Sequence, residues 1–298
     1  MLPASPVTTF GLIGLGLMGE AIAARLRGAG HGVLGFDIQP RCGANLVALG
    51  GKVASDAGTV LAACDIVLLS VPSHADVQVI LSENSRSLHP GQLLIDTTTG
   101  APEAALQIAA GLAECGVAYL DATISGSSAQ VRQGEVLWMV GGHRADFERC
   151  AELLHCVGRE AIYTGPTGSG SKMKLVTNLV LGLNRAALAE GLALASRLEL
   201  DTVQALAVLR SSAAYSRIMD SKGEKMIHGE FTPVARLSQH LKDVNLILDA
   251  GSVAGAHLPL SETHLKLLEA AEAAGLGALD NSAIYEVYLQ HSGEGRQA

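Results

Sequence analysis

The stretch FGLIGLGLMG, Phe10–Gly19, decides how the first half of the chain is read. Gly14, Gly16 and Gly19 fall on a G-x-G-x-x-G pattern, directly after the apolar run Phe10 to Ile13. Alone, the pattern also fits a glycine-rich turn. Its confirming context is a strand before, a helix after and an acidic residue about 20 positions on. All three are present. Phe10 to Ile13 reads as a strand, Gly19 to Arg27 reads as a helix, and Asp37 ends the next strand-like run, Val33 to Asp37. Gly14, Leu15, Gly16, Leu17, Met18 and Gly19 therefore read as a dinucleotide phosphate cradle. Gly14 permits the tight turn, Gly16 lets the pyrophosphate approach, Gly19 lets the helix pack, and the helix start faces the phosphates with its partial positive charge. A carboxylate at Asp37 accepts hydrogen bonds from ribose hydroxyls and repels a 2′-phosphate. NAD is expected as cofactor, with Arg41 keeping NADP as the alternative.

Outward from this stretch, strand-like and helix-like segments alternate. Ala54 to Ala63 reads as a helix, Ile66 to Val71 as a strand, and a helix starts at Val77. The strand Leu93 to Asp96 is followed by a helix from Pro102 to Cys115. Ala118 to Ala122, Val136 to Val140 and Ala161 to Thr164 complete the strands. Such alternation predicts a parallel sheet covered on both faces. Ligands of such folds bind at the carboxyl ends of strands. Val71 and Pro72 follow one such end, and Thr98 in DTTTG follows another, where its hydroxyl suits the nicotinamide end, although each stretch taken singly fits turn chemistry equally. Beyond the breaker GPTGSGSK, Gly165 to Lys172, the periodicity is helical only. Ser169 to Arg197 predicts one helix of about 40 Å at 1.5 Å per residue. The fold class expected is an α/β Rossmann domain, residues 1–165, followed by a long connecting helix and an all-α domain, residues 166–298. Met1 to Thr8 and Ser292 to Ala298 are expected to be loose.

Composition narrows the function. The 298 residues are 48% apolar and carry a formal net charge of −8. An acidic chain lacks the clustered Lys and Arg that nucleic-acid backbones require, so no nucleic-acid partner is expected. No apolar run approaches the roughly 18–20 residues that cross a bilayer, so no membrane partner is expected. MLPASPVTTF lacks the basic start of a secretory signal. The expected compartment is the cytoplasm, with mitochondrial import left open. Cys42, Cys64, Cys115, Cys150 and Cys156 form no C-x-x-C pair and read as reduced, mostly buried thiols. The 10 histidines show no metal spacing, so no metal is expected.

Two further stretches carry chemistry. In DATISGSSAQVRQGEVLWMVGG, Asp121–Gly142, a strand ends before Ser125, Gly126, Ser127 and Ser128. Successive N–H groups and hydroxyls there suit a carboxylate, although on the pattern alone a serine-rich hairpin loop fits better. In the long helix, Lys174 and Asn178 stand four apart on one face, with Arg185 near that face further on.

Four ordered motifs together resemble the β-hydroxyacid dehydrogenase family, which includes 3-hydroxyisobutyrate dehydrogenase and tartronate semialdehyde reductase. They are GLIGLGLMG, then D-A-x-x-S-G with G-x-x-x-x-M-V-G-G, then G-x-x-G-x-G-x-x-x-K-x-x-x-N from Gly165 to Asn178, and the pair Lys242 and Asp243. The resemblance spans nearly the whole chain. It implies an NAD(P)-dependent enzyme of the CH–OH class, with reversible hydride transfer to or from a β-hydroxyacid. It further implies Lys174 as the catalytic acid and base, with Ser125 and Gly126 on the substrate carboxylate. Asn178 anchors the substrate in this reading, and Lys242 lies by the cofactor. A homodimer or homotetramer is implied too. Ser127 departs from the family's S-G-G and puts a side chain into the expected pocket. An imine reductase, a decarboxylating relative and a non-catalytic dinucleotide-binding reader module share the plan. Lys174 argues against the first and third, and the short acidic chain argues against the second. Tyr215, Arg217 and His240 are candidates for setting the substrate, His240 reading more simply as a satisfied helix histidine.

Overall fold

The computed structural model describes residues 8–290. The loose ends expected from sequence fall outside these residues, except Thr8, whose carbonyl accepts the Gly32 N–H at 2.9 Å. The strands are β1 (Thr9–Ile13), β2 (Gly32–Phe36), β3 (Lys52–Val53), β4 (Ile66–Leu69), β5 (Leu93–Asp96), β6 (Ala118–Ser125), β7 (Leu137–Gly141) and β8 (Glu160–Gly165). Between them run α1 (Leu17–Gly28), α2 (Pro40–Ala48), α3 (Ala57–Ala63), α4 (His74–Glu83), α5 (Pro102–Glu114), α6 (Ser128–Gln133), α7 (Arg144–Arg149) and α8 (Ala151–Val157). The sheet order is β3-β2-β1-β4-β5-β6-β7-β8. Strand order reverses between β1 and β4, the switch point at which α/β sheets take ligands.

The sheet is not wholly parallel. β7 runs antiparallel to β6, pairing Asp121 with Gly141 and Ser125 with Leu137. An apolar run carries no direction, so this turn-back was not legible. α2 and β3 were not expected either, and the helix expected from Ala54 begins at Ala57 instead, capped by Asp56. Period-two alternation sends successive strand residues to opposite faces. Leu12, Leu68, Leu93, Ile95 and Trp138 pack on one side with α1 and α8. Ile13, Val67, Leu69 and Leu94 pack on the other with residues of α3 and α5. The five cysteines are free thiols, but Cys115 is exposed rather than buried.

The remaining helices are α9 (Ser169–Arg197), α10 (Thr202–Ser211), α11 (Ile218–His228), α12 (Leu237–Val253), α13 (Pro259–Ala273) and α14 (Ile284–Gln290). The chain divides into two compact units, residues 1–174 and 175–298, so the division falls inside α9. The second unit has its own apolar core, built on Leu188, Leu192, Leu206, Met226, Leu237 and Leu268. By length and composition α9 is apolar enough to cross a bilayer, contrary to the expectation from sequence. It nevertheless contains Lys172, Lys174, Arg185 and Glu190, and its second half lines this core.

Candidate functional site

The glycine loop sits at the switch point. Packing explains two of its three glycines. A Cβ at Gly14, whose φ is +91°, would fall 2.2 Å from the Ser70 carbonyl oxygen, and one at Gly19 would fall 2.0 Å from that of Gly14. Gly16 is different: no protein atom lies within 4 Å of a Cβ built there. A side chain at 16 would instead fill the cradle in front of α1. α1 opens at Gly16 with no side-chain cap, leaving its first N–H groups for an anion. Leu15, Leu17 and Met18 complete the loop. Val71 follows β4, with a methyl 3.1 Å from the Gly14 Cβ position, and Pro72 comes next. These residues fit a dinucleotide phosphate.

Asp37 follows β2 and is tied to the same loop. Its Oδ2 accepts the Leu15 N–H at 2.7 Å and its Oδ1 accepts the Gln39 N–H at 2.8 Å. A carboxylate offers about four acceptor positions, so room for ribose hydroxyls is left. Arg41 is exposed and donates to the Gln39 side chain.

At the end of β5, Asp96 is buried. It accepts the Thr98 N–H at 2.8 Å and the Tyr119 hydroxyl at 2.7 Å. Burial pushes the Asp96 carboxyl up from its usual range, and Tyr119 is raised well above its own, by burial first and then by Asp96. The turn these bonds fix leaves the Thr98 hydroxyl buried and without a partner. An unpaired buried hydroxyl suits a polar ligand group. His74, Asp96 and Tyr119 were missed as members of this end, because only the fold brings the start of α4, the end of β5 and the beginning of β6 together.

Strand β6 and the start of α9 form the second half of the site. Asp121 accepts the Gly168 N–H at 2.9 Å and the Ser171 N–H at 2.7 Å. Burial pushes its carboxyl up, and these N–H groups pull the other way. The Thr123 hydroxyl donates to the Gly170 carbonyl at 3.0 Å, and the Lys174 Nζ donates to the Ile124 carbonyl at 2.6 Å. Each step along β6 thus meets a step along α9. The result sets the half-buried Lys174 ammonium beside Ser125 and Gly126. Gly126 has φ +146°, and a Cβ there would meet Val136 at 2.5 Å, so this position requires glycine. Ser127 is half-buried and bonded within its own turn. Its N–H donates to the Gln130 side chain, and its hydroxyl closes a capping box at the start of α6. Sequence spacing missed the part played by Asp121, although S-x-x-Q at 127–130 is a legible capping signal.

Asn178 and Lys242 lie in the second unit. The Asn178 amide donates to Asp243 Oδ2 at 3.1 Å, so α9 and α12 meet through the motif pair next to Lys242. The Tyr215 hydroxyl donates to Asp220 at 2.6 Å. His240 is buried, but its Nε2 has no partner, which corrects the reading of a satisfied histidine.

Residues 9–165 match the family of the NAD binding domain of 6-phosphogluconate dehydrogenase. Residues 168–288 match the NAD-binding domain of NADP-dependent 3-hydroxyisobutyrate dehydrogenase. The 2-(hydroxymethyl)glutarate dehydrogenase of Eubacterium barkeri is 33% identical, covering 95% of this chain and 95% of its own. The 2-hydroxy-3-oxopropionate reductase of Escherichia coli (strain K12) is also 33% identical, covering 93% and 95%. The solved structure of 3-hydroxyisobutyrate dehydrogenase from Salmonella typhimurium superposes with a TM-score of 0.87 at 30% identity, covering 94% and 99%. Fold, switch-point loop and relatives together define an NAD(P)-dependent oxidoreductase acting on CH–OH groups. The chain belongs to the β-hydroxyacid dehydrogenase family.

Proposed function

We propose that the chain interconverts a short β-hydroxyacid and its carbonyl form, with Lys174 as general acid and base. The observation that carries this is the Lys174 Nζ bond to the Ile124 carbonyl, which sets the ammonium beside Ser125 and Gly126. A group in that place reaches the hydroxyl of a substrate whose carboxylate rests on Ser125 and Gly126. As the neutral amine Lys174 takes up the hydroxyl proton in oxidation, and as the ammonium it returns that proton to the carbonyl oxygen in reduction. Bound NAD supplies the hydride acceptor. Gly14, Leu15, Gly16, Leu17, Met18 and Gly19 would hold its phosphates, Asp37 its ribose, Val71, Pro72 and Thr98 its nicotinamide end. Asn178 would steady the substrate, and Lys242 the cofactor side.

The same reading assigns residues 1–165 to cofactor and residues 166–298 to substrate and assembly, in a cytoplasmic enzyme. A homodimer or homotetramer is supported by Val180, Leu181, Leu194 and Leu198, all more than 40% exposed along and just beyond α9. Lys174→Met tests the mechanism. Turnover on the hydroxy acid that the wild type oxidises, followed at 340 nm, should fall by a factor of about 10² or more while NADH still binds. Turnover within a few-fold of wild type would remove Lys174 from the reaction. A wild type that binds NADH yet stays silent on a panel of hydroxy acids would instead mark the non-catalytic reader module.

A further inference from the structure

The turn that follows β5 is backed by an acid and a base shut away from water. Asp96 is 1% exposed, and His74, the first residue of α4, is 4% exposed. His74 Nε2 lies 3.6 Å from Asp96 Oδ2. That is too long for a hydrogen bond but short enough for strong attraction between charges in a dry place. The other side of the ring bears on the same turn, since a Cβ at Gly100 would fall 2.5 Å from His74 Nδ1. Asp96 Oδ1 accepts the Thr98 N–H and Oδ2 accepts the Tyr119 hydroxyl. The carboxyl group therefore stands directly behind Thr98.

Among the described residues packed on Asp96, His74 alone offers a counter-charge. From β4, Leu69 pairs with Asp96 and cannot titrate. From β6, Tyr119 is held well above its usual value and keeps its proton, while Asp121, the register neighbour of Asp96, is a second acid bonded to the Gly168 and Ser171 N–H groups. Asp76 on α4 and Glu103 on α5 are exposed. An acid and a base enclosed in this way are neutral overall in two forms, an ion pair or an imidazole beside a carboxylic acid, and both forms hold one proton. Loss of that proton leaves a buried carboxylate without a counter-charge. Burial opposes that state and pushes Asp96 up.

We propose that His74 and Asp96 hold one proton behind the nicotinamide end of the cofactor, release it when the cationic ring of NAD⁺ binds and keep it for the neutral ring of NADH. This rests on the reading that puts Thr98 at the nicotinamide end. A lone buried carboxylate is favourable near a positive ring and unfavourable near a neutral one. Because the proton leaves on NAD⁺ binding, rising pH strengthens NAD⁺ relative to NADH. Asp96 supplies the charge, and His74 is a positioning residue that sets the pH at which the charge appears.

Calorimetric titration with NAD⁺ and with NADH, in buffers of different ionisation enthalpy, counts the protons exchanged on binding without reference to turnover. Phosphates, ribose and adenine are common to both and cancel in the difference. Wild type should release more protons with NAD⁺ than with NADH, by up to about one, between about pH 6 and about pH 9. Asp96→Asn keeps an oxygen for the Thr98 N–H and removes the acid, so the difference should vanish. His74→Gln leaves the last proton one place instead of two, so the pH of the largest difference should move down. This second variant decides the matter if Asp96→Asn does not fold. If neither cofactor binds to the wild type, the dinucleotide reading falls and takes the proposal with it. With both cofactors bound, three results overturn the proposal alone. They are equal proton counts in the wild type, a difference that persists in Asp96→Asn and so comes from another group such as Lys174, and an unmoved maximum in His74→Gln.

Discussion

At the scale of single residues, Asp37 has two tasks that can be separated. Its carboxylate holds the glycine loop through the Leu15 N–H and closes a turn through the Gln39 N–H. Both bonds need only an acceptor, whereas exclusion of a 2′-phosphate needs the negative charge. Asp37→Asn removes the charge and keeps one of the two acceptor oxygens, and the bond lost with the other acts on both cofactors alike, so it cancels in their ratio. The NADP-to-NAD ratio of kcat/KM should rise about tenfold, which corresponds to about 1.4 kcal/mol. A ratio that does not move would leave Asp37 as a turn cap with no part in choosing the cofactor. Ser127 is a contrasting case. Its departure from the family's glycine looks like a change of pocket, yet its hydroxyl serves the first turn of α6. A side chain that can cap a helix or face a substrate is ambiguous until the helix after it is known.

At the scale of elements, the start of α9 and the glycine before it are held to β6 by four bonds, and Asp121 makes the pair that caps the helix. Asp121→Asn leaves one oxygen for two N–H donors and turns an amide toward the other. We expect a loss of about 1–2 kcal/mol in stability. Turnover should fall several-fold as Lys174 shifts, with NADH affinity held. Urea denaturation and steady-state kinetics check both halves, and an unchanged kcat in a destabilised protein would make Asp121 a cap alone. The sequence reading placed α9 at the residues where it is found, because its helical periodicity begins at a glycine breaker and runs unbroken for eight turns. Most strands of the sheet were legible for a related reason: buried parallel strands are continuous apolar runs. β3 is two exposed residues, Lys52 and Val53, and so has no periodicity to detect. The site was legible in its residue types, as Lys174, Ser125 and Gly126 show. Its linkages were not, since Asp121 and Ser171 are fifty positions apart and only the fold joins them.

At the scale of the whole molecule, stability should depend on pH through the buried histidines of the helical unit. Burial first, then the charge of Arg185, lowers His264 to about 4. Burial, Arg185 and His264 also hold His240 well below its usual value. An unfolded histidine titrates near about 6.5. Between that value and about 4 the unfolded chain binds more protons than the folded one, so stability falls as pH falls. His264 alone accounts for up to about 3 kcal/mol over this window. Below it, Asp280 adds a further loss. Burial would raise its carboxyl, but Lys222, the Val234 N–H and Ser282 outweigh burial and hold it below the usual range. Denaturation should show His264→Phe flattening the slope between pH 6.5 and about 4. An identical slope in wild type and variant would mean that His264 titrates normally in the fold.

The division between the two compact units lies inside α9, with continuous helical backbone on either side of Lys174. Multidomain chains ordinarily change units in an exposed linker, and such linkers are where proteases cut and where genes are spliced together. Within α9 this chain offers no such seam. A recombination event that exchanged one unit for a relative's would have to join two half-helices in register. An error of one residue turns everything beyond the joint by about 100°. A joint made at this division thus has to preserve the helical register across Lys174.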